Sequence, residues 1–359
     1  MKKIPVAILG ATGSVGQRFI QLLEYHPWFE VVCVAASSNS SGKTYKQAVN
    51  KSWTIESPIP KRVQKLIVKS VEQDVRQIAS EVRFVFSALN MDINDIKRIE
   101  KLYASLGIAV VSNNSAHRWT EDVPMIMPEI NPEHIRLIDI QRKNRGWGKG
   151  FIAVKPNCSI QSYVSILTIL QKFIPTKVNV VSLQAISGAG KTFGTWPEMI
   201  DNAIPYIEGE EEKSEKEPLK IWGEIRNNKL IFSKKPEISA SCIRIPTLNG
   251  HIANVSVSFT KKPTRQEILE EIYNYKSKIS NLKLPSAPKK LVIYLKQKNR
   301  PQIRLDRNTE QGMGITMGRL QKAKFFDWKF TALSHNTIRG GAGGAILLAE
   351  LLTKQKYIC

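Results

Sequence analysis

The amino-terminal segment places a glycine-rich turn between a short apolar run and an amphipathic one. Residues 4–9 are apolar, residues 10–16 read GATGSVG, and apolar residues then recur at helical spacing. This order of strand, glycine turn and helix opens a dinucleotide-binding fold. Gly10 permits the tight turn, Gly13 lets the backbone approach a pyrophosphate, and Gly16 allows the helix to pack closely on the strand. The pattern therefore favours a dinucleotide site over a merely structural turn.

The loop after the second apolar run indicates which dinucleotide is bound. An NAD site would offer a carboxylate there to the ribose hydroxyls, and Glu30 lies about twenty residues past the first glycine, as that fingerprint asks. Glu30 opens the predicted strand instead of closing it, so it lies at the wrong edge of the sheet. The loop that follows the strand is rich in hydroxyls and carries a cation, which suits a 2′-phosphate, although an ordinary polar loop is the alternative. NADP is therefore favoured, bound by Ser37, Ser38, Ser41 and Lys43.

Cys158 is the candidate nucleophile. It lies between the apolar residues 151–154 and a helix-like run over residues 163–170. A strand that ends at Lys155 and hands over to a helix beginning near Cys158 would aim free backbone N–H groups at the sulfur, which would lower the pKa of the thiol. The same N–H groups could hold an oxyanion formed on an attacked carbonyl. The alternative is a small buried core residue, which is the commoner role of a lone cysteine.

Length and composition are typical of a two-domain cytoplasmic protein. The chain has 359 residues and no apolar stretch near the roughly twenty residues of a membrane span, and neither a signal peptide nor a membrane partner is expected. The net charge of +22 is dispersed in scattered basic pairs, which favours a compositional lysine bias over a nucleic-acid partner. The cysteines lack the spacing of a metal site or a disulfide framework, which suits a reducing compartment. They are Cys33, Cys158, Cys242 and Cys359.

The pattern of apolar runs predicts an α/β protein with two kinds of sheet. Up to residue 112, strands at 63–68, 82–87 and 108–112 alternate with helices such as 93–106, which predicts a Rossmann-like parallel sheet. After Cys158, longer alternating strands at 178–187, 239–245 and 252–260, with a helix at 265–275, predict an α+β domain with a mixed, largely antiparallel sheet. A last helix, from near Gly340 through Leu352, is apolar enough to pack back on the first sheet. We therefore expect a nucleotide-binding domain of residues 1–157 plus 337–359 and a catalytic and dimerisation domain of residues 158–336.

Nine short segments, in order along the chain, resemble the motifs of one protein family. The chain resembles aspartate-semialdehyde dehydrogenase of the type found in archaea, fungi and some bacteria. This resemblance implies NADPH-dependent reductive dephosphorylation of 4-phospho-L-aspartate to L-aspartate 4-semialdehyde, reversible with inorganic phosphate, on the route to lysine, threonine and methionine. It also implies a cytoplasmic homodimer or homotetramer. The segments are GATGSVG (10–16), FSAL (86–89), SNNSAHR (112–118), KPNCS (155–159), QAISGAG (184–190), GEEEK (209–213), RIP (244–246), GH (250–251) and HNTIRG (335–340).

The resemblance assigns roles residue by residue. Cys158 would attack the acyl phosphate to give a thioester, and His251, in a Gly-His turn before a strand, would serve as acid and base. Arg244 would hold the substrate carboxylate by a bidentate fork. Arg118 and Lys213 would hold the phosphate, Glu210 the ammonium, and Asn157 would also contact substrate; Glu211 and Glu212 stay open as alternatives to Glu210. The cofactor residues would be Gly10, Thr12, Gly13, Ser14, Val15, Gly16, Ser37, Ser38, Ser41, Lys43, Ser87, Ala88, Leu89, Asn113, Ser187, Gly188, Gly190, Asn336 and Thr337.

The chain departs from the family pattern at three positions. Three alternative functions also stay open. Ile160 stands where threonine is common, Asn90 where proline is usual, and Asn249 where aspartate often precedes Gly-His, which puts the pH optimum in doubt. Malonyl-CoA reductase and N-acetyl-γ-glutamyl-phosphate reductase use the same scaffold. The third rival is a basic nucleic-acid-binding protein that keeps an inactive dehydrogenase scaffold.

Overall fold

The computed structural model describes residues 3–359 and contains a six-stranded parallel sheet near the amino terminus. The strand order is β3-β2-β1-β4-β5-β6, the order of a doubly wound dinucleotide-binding sheet. Its strands β4, β5 and β6 are buried along their whole length, as expected where helices cover both faces. The strands are β1 (Ile4–Leu9), β2 (Phe29–Ala36), β3 (Val68–Ser70), β4 (Phe84–Ser87), β5 (Ala109–Ser112) and β6 (Phe151–Val154).

Seven helices follow strands of this sheet or connect them. They are α1 (Ser14–Leu23), α2 (Tyr45–Val49), α3 (Lys61–Gln64), α4 (Val75–Glu81), α5 (Ile93–Ser105), α6 (Leu137–Arg145) and α7 (Gln161–Ile169). The strand predicted at residues 63–68 is wrong. Pro60 precedes the single turn of α3, and the strand pairing with β2 begins only at Val68. Lys65 and Ile67 are exposed, so this segment lacks the buried run of a strand inside the sheet.

The second sheet also has six strands, in the order β10-β7-β11-β14-β13-β12. Three of its five pairings are antiparallel, and the β10–β7 and β12–β13 pairings are parallel, so the predicted mixed, largely antiparallel sheet is confirmed. The strands are β7 (Pro175–Ala185), β10 (Glu237–Ile245), β11 (His251–Phe259), β12 (Val292–Leu295), β13 (Ile315–Lys322) and β14 (Trp328–Ser334). A separate hairpin is formed by β8 (Glu224–Arg226) and β9 (Lys229–Ile231). The four further helices are α8 (Glu210–Ile221), α9 (Arg265–Asn274), α10 (Ile303–Asp306) and α11 (Gly343–Lys354).

Two apolar cores join these layers. One core lies between one face of the parallel sheet and the helices α1 and α11, with Phe19 and Ile346 among its members. The other core is continuous from α5 through α7 to the second sheet, with Tyr103, Val164 and Val255 among its members. The last helix thus packs back on the first sheet, as predicted. Among residues 3–359, no helix is both long and apolar enough to cross a membrane.

Most of the predicted site residues lie at the carboxyl edge of the parallel sheet. Gly10 follows β1, Ala88 follows β4, Asn113 follows β5, and the segment that carries Cys158 follows β6. In an open parallel sheet, ligands bind outside the carboxyl ends of the strands. The strand order therefore predicts that the nucleotide site and the cysteine face one crevice.

Candidate active site

Cys158 lies between β6 and α7, with its side chain partly exposed. The helix begins at Gln161 and Ile160 is its cap, so the cysteine precedes the helix by three residues. A π-helical turn at Ile338–Ala342 presses against the cysteine: a Cβ added at Gly340 would lie 2.6 Å from the Cys158 Cβ. A larger residue at position 340 would therefore displace the sulfur.

His251 lies beside the cysteine, as the first residue of β11. Its Nε2 is 3.5 Å from the Cys158 Sγ, and its side chain is 1% exposed. The backbone N–H of Ala185, at the end of β7, donates to its Nδ1 at 3.0 Å. Burial, with a further contribution from the charge of Arg244, lowers the pKa of His251 to about 3. The pair has the contacts of a thiol and an imidazole partner whose ring orientation is fixed by the main chain.

The thiol is not the lowered-pKa group that the sequence predicted. Burial raises the pKa of Cys158 and the Glu210 carboxylate raises it further, whereas Lys155, Arg118 and Arg244 oppose them. The predicted lowering of the thiol pKa is wrong because burial is the largest effect, Glu210 adds to it, and α7 begins three residues after the cysteine. Burial therefore outweighs the basic groups near the sulfur, and the net pKa of the thiol is raised.

Arg244 lies near the end of β10 and is 6% exposed. Its Nη1 donates to the carbonyl oxygen of Ala185 at 2.8 Å, which is the one hydrogen bond that the guanidinium makes to the described residues. A Cβ added at Gly188 would lie 2.9 Å from that Nη1 and 3.4 Å from the His251 Cε1 and Nε2. The absence of a side chain at position 188 therefore makes room for both groups, and the other guanidinium N–H groups can accept a planar anion.

Glu210, the first residue of α8, reaches the side chain of Asn157 in the cysteine segment. It accepts from Asn157 Nδ2 at 2.9 Å and from Lys213 Nζ at 2.9 Å, one turn along the helix. Burial raises its pKa, but Lys213, Asn157 and Gln184 outweigh burial, so the net pKa is lowered and the group is ionised. Glu211 and Glu212 point elsewhere, to the Cys242 backbone N–H and to Lys216. The geometry thus selects Glu210 among the three.

Arg118 is buried and held from two sides. Its Nη1 donates to Glu217 Oε1 at 2.8 Å and its Nε to the Lys155 carbonyl at 3.2 Å. The second oxygen of Glu217 accepts the backbone N–H of Asn157 at 2.6 Å. Glu217 therefore ties the arginine to the peptide directly before the nucleophile.

A cleft opens between the glycine turn and the loops of the second sheet. Ser14 and Val15 lie on one side, and Ser187, Gly190 and Thr337 lie on the other. Asn336 donates to the Ser187 hydroxyl at 2.8 Å and accepts the Gly250 N–H at 2.8 Å, so the cleft wall is joined to the turn before His251. Because a side chain at Gly188 would meet Arg244 and His251, and its neighbour Ser187 lines the cleft, the same short turn borders the cleft and the cysteine pair.

The glycine turn fits the phosphates of a dinucleotide. Gly10 has φ +79°, and a Cβ there would lie 2.3 Å from the Ala88 carbonyl oxygen; a Cβ at Gly16 would lie 2.2 Å from the Gly10 oxygen. At the exposed Gly13 the nearest atom would be 3.6 Å away, which leaves the backbone open to a ligand. The first turn of α1 carries no acidic residue, so its free N–H groups can receive an anion.

The comparisons with known proteins agree with this architecture. Residues 5–138 match the family model for the semialdehyde dehydrogenase NAD-binding domain, and residues 166–339 match that for its dimerisation domain. The chain is 42% identical over 353 residues to the aspartate-semialdehyde dehydrogenase of Archaeoglobus fulgidus, with 98% of this chain and 99% of the relative covered. It is 38% identical over 370 residues to that of Saccharomyces cerevisiae, with 99% of each covered.

This chain belongs to the aspartate-semialdehyde dehydrogenase family. A crystal structure of the Candida albicans aspartate-semialdehyde dehydrogenase with NADP superposes with a TM-score of 0.88 at 37% identity, covering 99% of this chain and 100% of that one. An aspartate-semialdehyde dehydrogenase II structure from Vibrio cholerae, at 22% identity and a TM-score of 0.75, shares the fold.

The remaining predicted cofactor residues of this family member lie in three places: the loop after β2, the ends of β4 and β5, and the glycine turn. The loop with Ser37, Ser38, Ser41 and Lys43 follows β2 at the surface, and Lys43 donates to the Asn39 carbonyl at 3.0 Å. Ser87 is fully buried and its hydroxyl accepts from Asn114. Ala88 and Leu89 pack against Gly10, Asn113 donates its N–H to the Ser87 carbonyl, and Thr12 precedes the exposed Gly13.

Sequence reasoning missed three residues that shape this aspartate-semialdehyde dehydrogenase site. Glu217 lies seven residues after Glu210 on the same face of α8, a spacing that could have revealed it. Gln184 donates to Glu210 at 3.3 Å. Lys155 is 3% exposed, and burial, together with Arg118, lowers its pKa to about 7, against the opposing charges of Cys158 and Glu217. The residues around Lys155 in the sequence do not indicate that its side chain is buried.

Proposed function

We propose that this protein catalyses the NADPH-dependent reductive dephosphorylation of 4-phospho-L-aspartate to L-aspartate 4-semialdehyde, and the reverse reaction with phosphate. The observation that carries the proposal is the Cys158–His251 contact at 3.5 Å. His251 and Arg244 both lie next to Gly188, in the turn whose Ser187 and Gly190 line the nucleotide cleft. Thiol, imidazole, anion-binding guanidinium and nucleotide cleft are what this reaction requires. The product leads to lysine, threonine and methionine.

The chemistry begins at Cys158. Its sulfur attacks the acyl carbon, the bond to the phosphate oxygen breaks, and a thioester forms on the enzyme. A bound NADPH supplies a hydride to the thioester carbonyl. The oxyanion that results lies within reach of His251, and expulsion of the thiolate then releases the aldehyde. The surrounding groups exclude water, because Asn157, His251 and Arg244 are each less than 7% exposed.

The charged groups assign an orientation to the substrate. Arg244 binds the α-carboxylate with the N–H groups that Ala185 leaves free. Glu210, assisted by Asn157, meets the ammonium, while Arg118 and Lys213 face the phosphate. A site with one partner for an ammonium group and another for an α-carboxylate favours an aspartyl substrate.

NADP binds across the cleft. Gly10, Gly13 and Gly16 with Thr12, Ser14 and Val15 hold the pyrophosphate, and the loop with Ser37, Ser38, Ser41 and Lys43 receives the 2′-phosphate. The nicotinamide lies beside Ser187, Gly188 and Gly190, closed over by Asn336 and Thr337. Ser87, Ala88, Leu89 and Asn113 complete the wall along the ends of β4 and β5.

The assembly and the domain division follow from the two sheets. We place the nucleotide-binding domain at residues 1–157 plus 337–359, since α11 contacts α1 and β5, and the catalytic domain at 158–336. The outer face of β7, β11 and β14 presents Asn179, Asn254 and Lys329 at the surface, and pairing of this face in a homodimer or homotetramer is proposed. The cysteines of residues 3–359 are free, which suits the cytoplasm.

A spectrophotometric assay tests the activity. Aspartate semialdehyde, phosphate and NADP should give NADPH in the presence of the enzyme and none when phosphate is left out. Malonyl-CoA with NADPH serves as the comparison substrate. Turnover of malonyl-CoA without turnover of aspartate semialdehyde would contradict the proposal.

A further inference from the structure

Glu100, on α5, is a buried carboxyl group that the proposed chemistry does not use. Its side chain is 0% exposed, and the groups that bear on it are the uncharged side chains of Ser112, Ser87 and Asn114. Burial raises the pKa of Glu100 and so favours the neutral acid. A polar group held in the interior in this way fixes the positions of the partners that bond to it.

The carboxyl group binds the ends of two neighbouring strands of the parallel sheet. Its Oε1 accepts from the hydroxyl of Ser112, the last residue of β5, at 2.7 Å, and from Asn114 Nδ2 at 3.0 Å. The same Nδ2 donates to the hydroxyl of Ser87, the last residue of β4, at 3.0 Å. The Ser112 hydroxyl also accepts the backbone N–H of Asn114 at 3.1 Å. One oxygen of Glu100 is therefore the centre of a network that joins α5, β4 and β5.

These strand ends form the wall against which the glycine turn packs. A Cβ added at Gly10 would lie 2.3 Å from the Ala88 carbonyl oxygen, so the turn rests on the residue directly after β4. Asn113, directly after β5, donates its backbone N–H to the Ser87 carbonyl at 2.9 Å. A shift of the two strand ends would therefore move the phosphate-binding turn and Asn113 together.

We propose that Glu100 is a positioning residue for NADP, which holds the ends of β4 and β5 where the glycine turn and the cofactor require them. This inference rests on the proposed function and deepens it, since it adds a residue that is itself fully buried. The property that matters is the accepting oxygen and not a charge. An amide oxygen at the same place should therefore serve as well as the carboxyl group.

Equilibrium binding of NADP to the full-length enzyme, without substrate, tests the proposal. Methionine has about the length of glutamate but lacks the accepting oxygen, whereas glutamine keeps it. Glu100→Met should raise the Kd for NADP about tenfold, and Glu100→Gln should keep it within about twofold of the wild-type value. The rise is expected because the Ser112 and Asn114 donors lose their shared acceptor.

Ile99→Ala is the matched control for a general loss of stability. Ile99 is the neighbouring residue of α5 and is fully buried in the apolar core. Its truncation should lower the urea midpoint by leaving a cavity, and should change the Kd for NADP by less than about twofold. An unchanged Kd in Glu100→Met, or an equal rise in Ile99→Ala, would overturn the proposal, because binding would then be independent of the network or would follow stability alone.

Asn114→Ala gives the same test outside the core, should Glu100→Met fail to fold. Asn114 is only partly buried, and its truncation breaks the link between Glu100 and Ser87. The Kd for NADP should rise about fivefold, and an unchanged Kd would overturn the proposal.

Steady-state kinetics gives the second measurement on these variants. In the phosphate-dependent assay, Glu100→Met and Asn114→Ala should raise KM for NADP and keep kcat within about threefold of the wild-type value. A selective loss of kcat would overturn the positioning role. Because NADP binding needs no turnover, failure of the proposed activity would be seen separately, in the assay of the wild-type enzyme.

Discussion

Replacing Gly188 by alanine would crowd the substrate-binding cation and the imidazole together. The added Cβ would lie 2.9 Å from Arg244 Nη1 and 3.4 Å from the nearer atoms of His251. The guanidinium would have to move by several tenths of an ångström, at the expense of its 2.8 Å hydrogen bond to Ala185. Overpacking of this kind costs about 1–3 kcal/mol, and a hydrogen bond to a charged group contributes about 1.5–3 kcal/mol.

A loss of about 2 kcal/mol corresponds to about a 30-fold fall in kcat/KM. The larger share should appear in KM for aspartate semialdehyde, because Arg244 is the group displaced. Steady-state kinetics in the phosphate-dependent direction measures both parameters. Gly148→Ala is the matched control, since no atom lies within 4 Å of its added Cβ, and it should change kcat/KM by less than about twofold. An unchanged kcat/KM in Gly188→Ala would refute the idea that this glycine makes room for the two groups.

Three further substitutions test the surrounding contacts. Glu217→Gln should lower the free energy of unfolding by about 3 kcal/mol in urea titrations, because one amide oxygen cannot serve both Arg118 and the cysteine segment, and an unchanged midpoint would exclude that pairing. Arg244→Lys should raise KM for aspartate semialdehyde far more than it lowers kcat, since a point charge cannot replace the fork; a selective loss of kcat would argue for a different role. Substituting Ser38, or Lys43→Glu, should reduce the ratio of kcat/KM for NADP to that for NAD. A ratio identical to that of the wild-type enzyme would show that the loop does not select the cofactor.

The sequence predicted the features that depend on local order. The glycine turn after β1, the parallel sheet and the alternating strands of the second sheet all follow from short-range patterns of apolar residues, and the structure confirms them. The prediction of a strand at 63–68 is wrong because a short run with a few apolar residues suits either a strand or a short helical turn. Local pattern alone could not decide between them.

The electrostatics of the cysteine could not be predicted from the same information. Its pKa is set first by burial and then by the charges of Glu210, Lys155, Arg118 and Arg244, of which only Lys155 is near in sequence. The contact with His251 joins residues 93 positions apart, and only the family motifs pointed to it. The role of the Ala185 amide depends on the register of β7 against its neighbours, which no motif encodes.

Transfer of the acyl group to Cys158 is the event that most directly tests the whole account. Mixing the enzyme with 4-phospho-L-aspartate, with NADPH left out, should release phosphate in a burst of about one equivalent per site and leave an aspartyl group on the Cys158 peptide by mass spectrometry. Cys158→Ala should show neither the burst nor the adduct. A wild-type enzyme that turns over without acylating this cysteine, or a Cys158→Ala variant that keeps its activity, would contradict the mechanism.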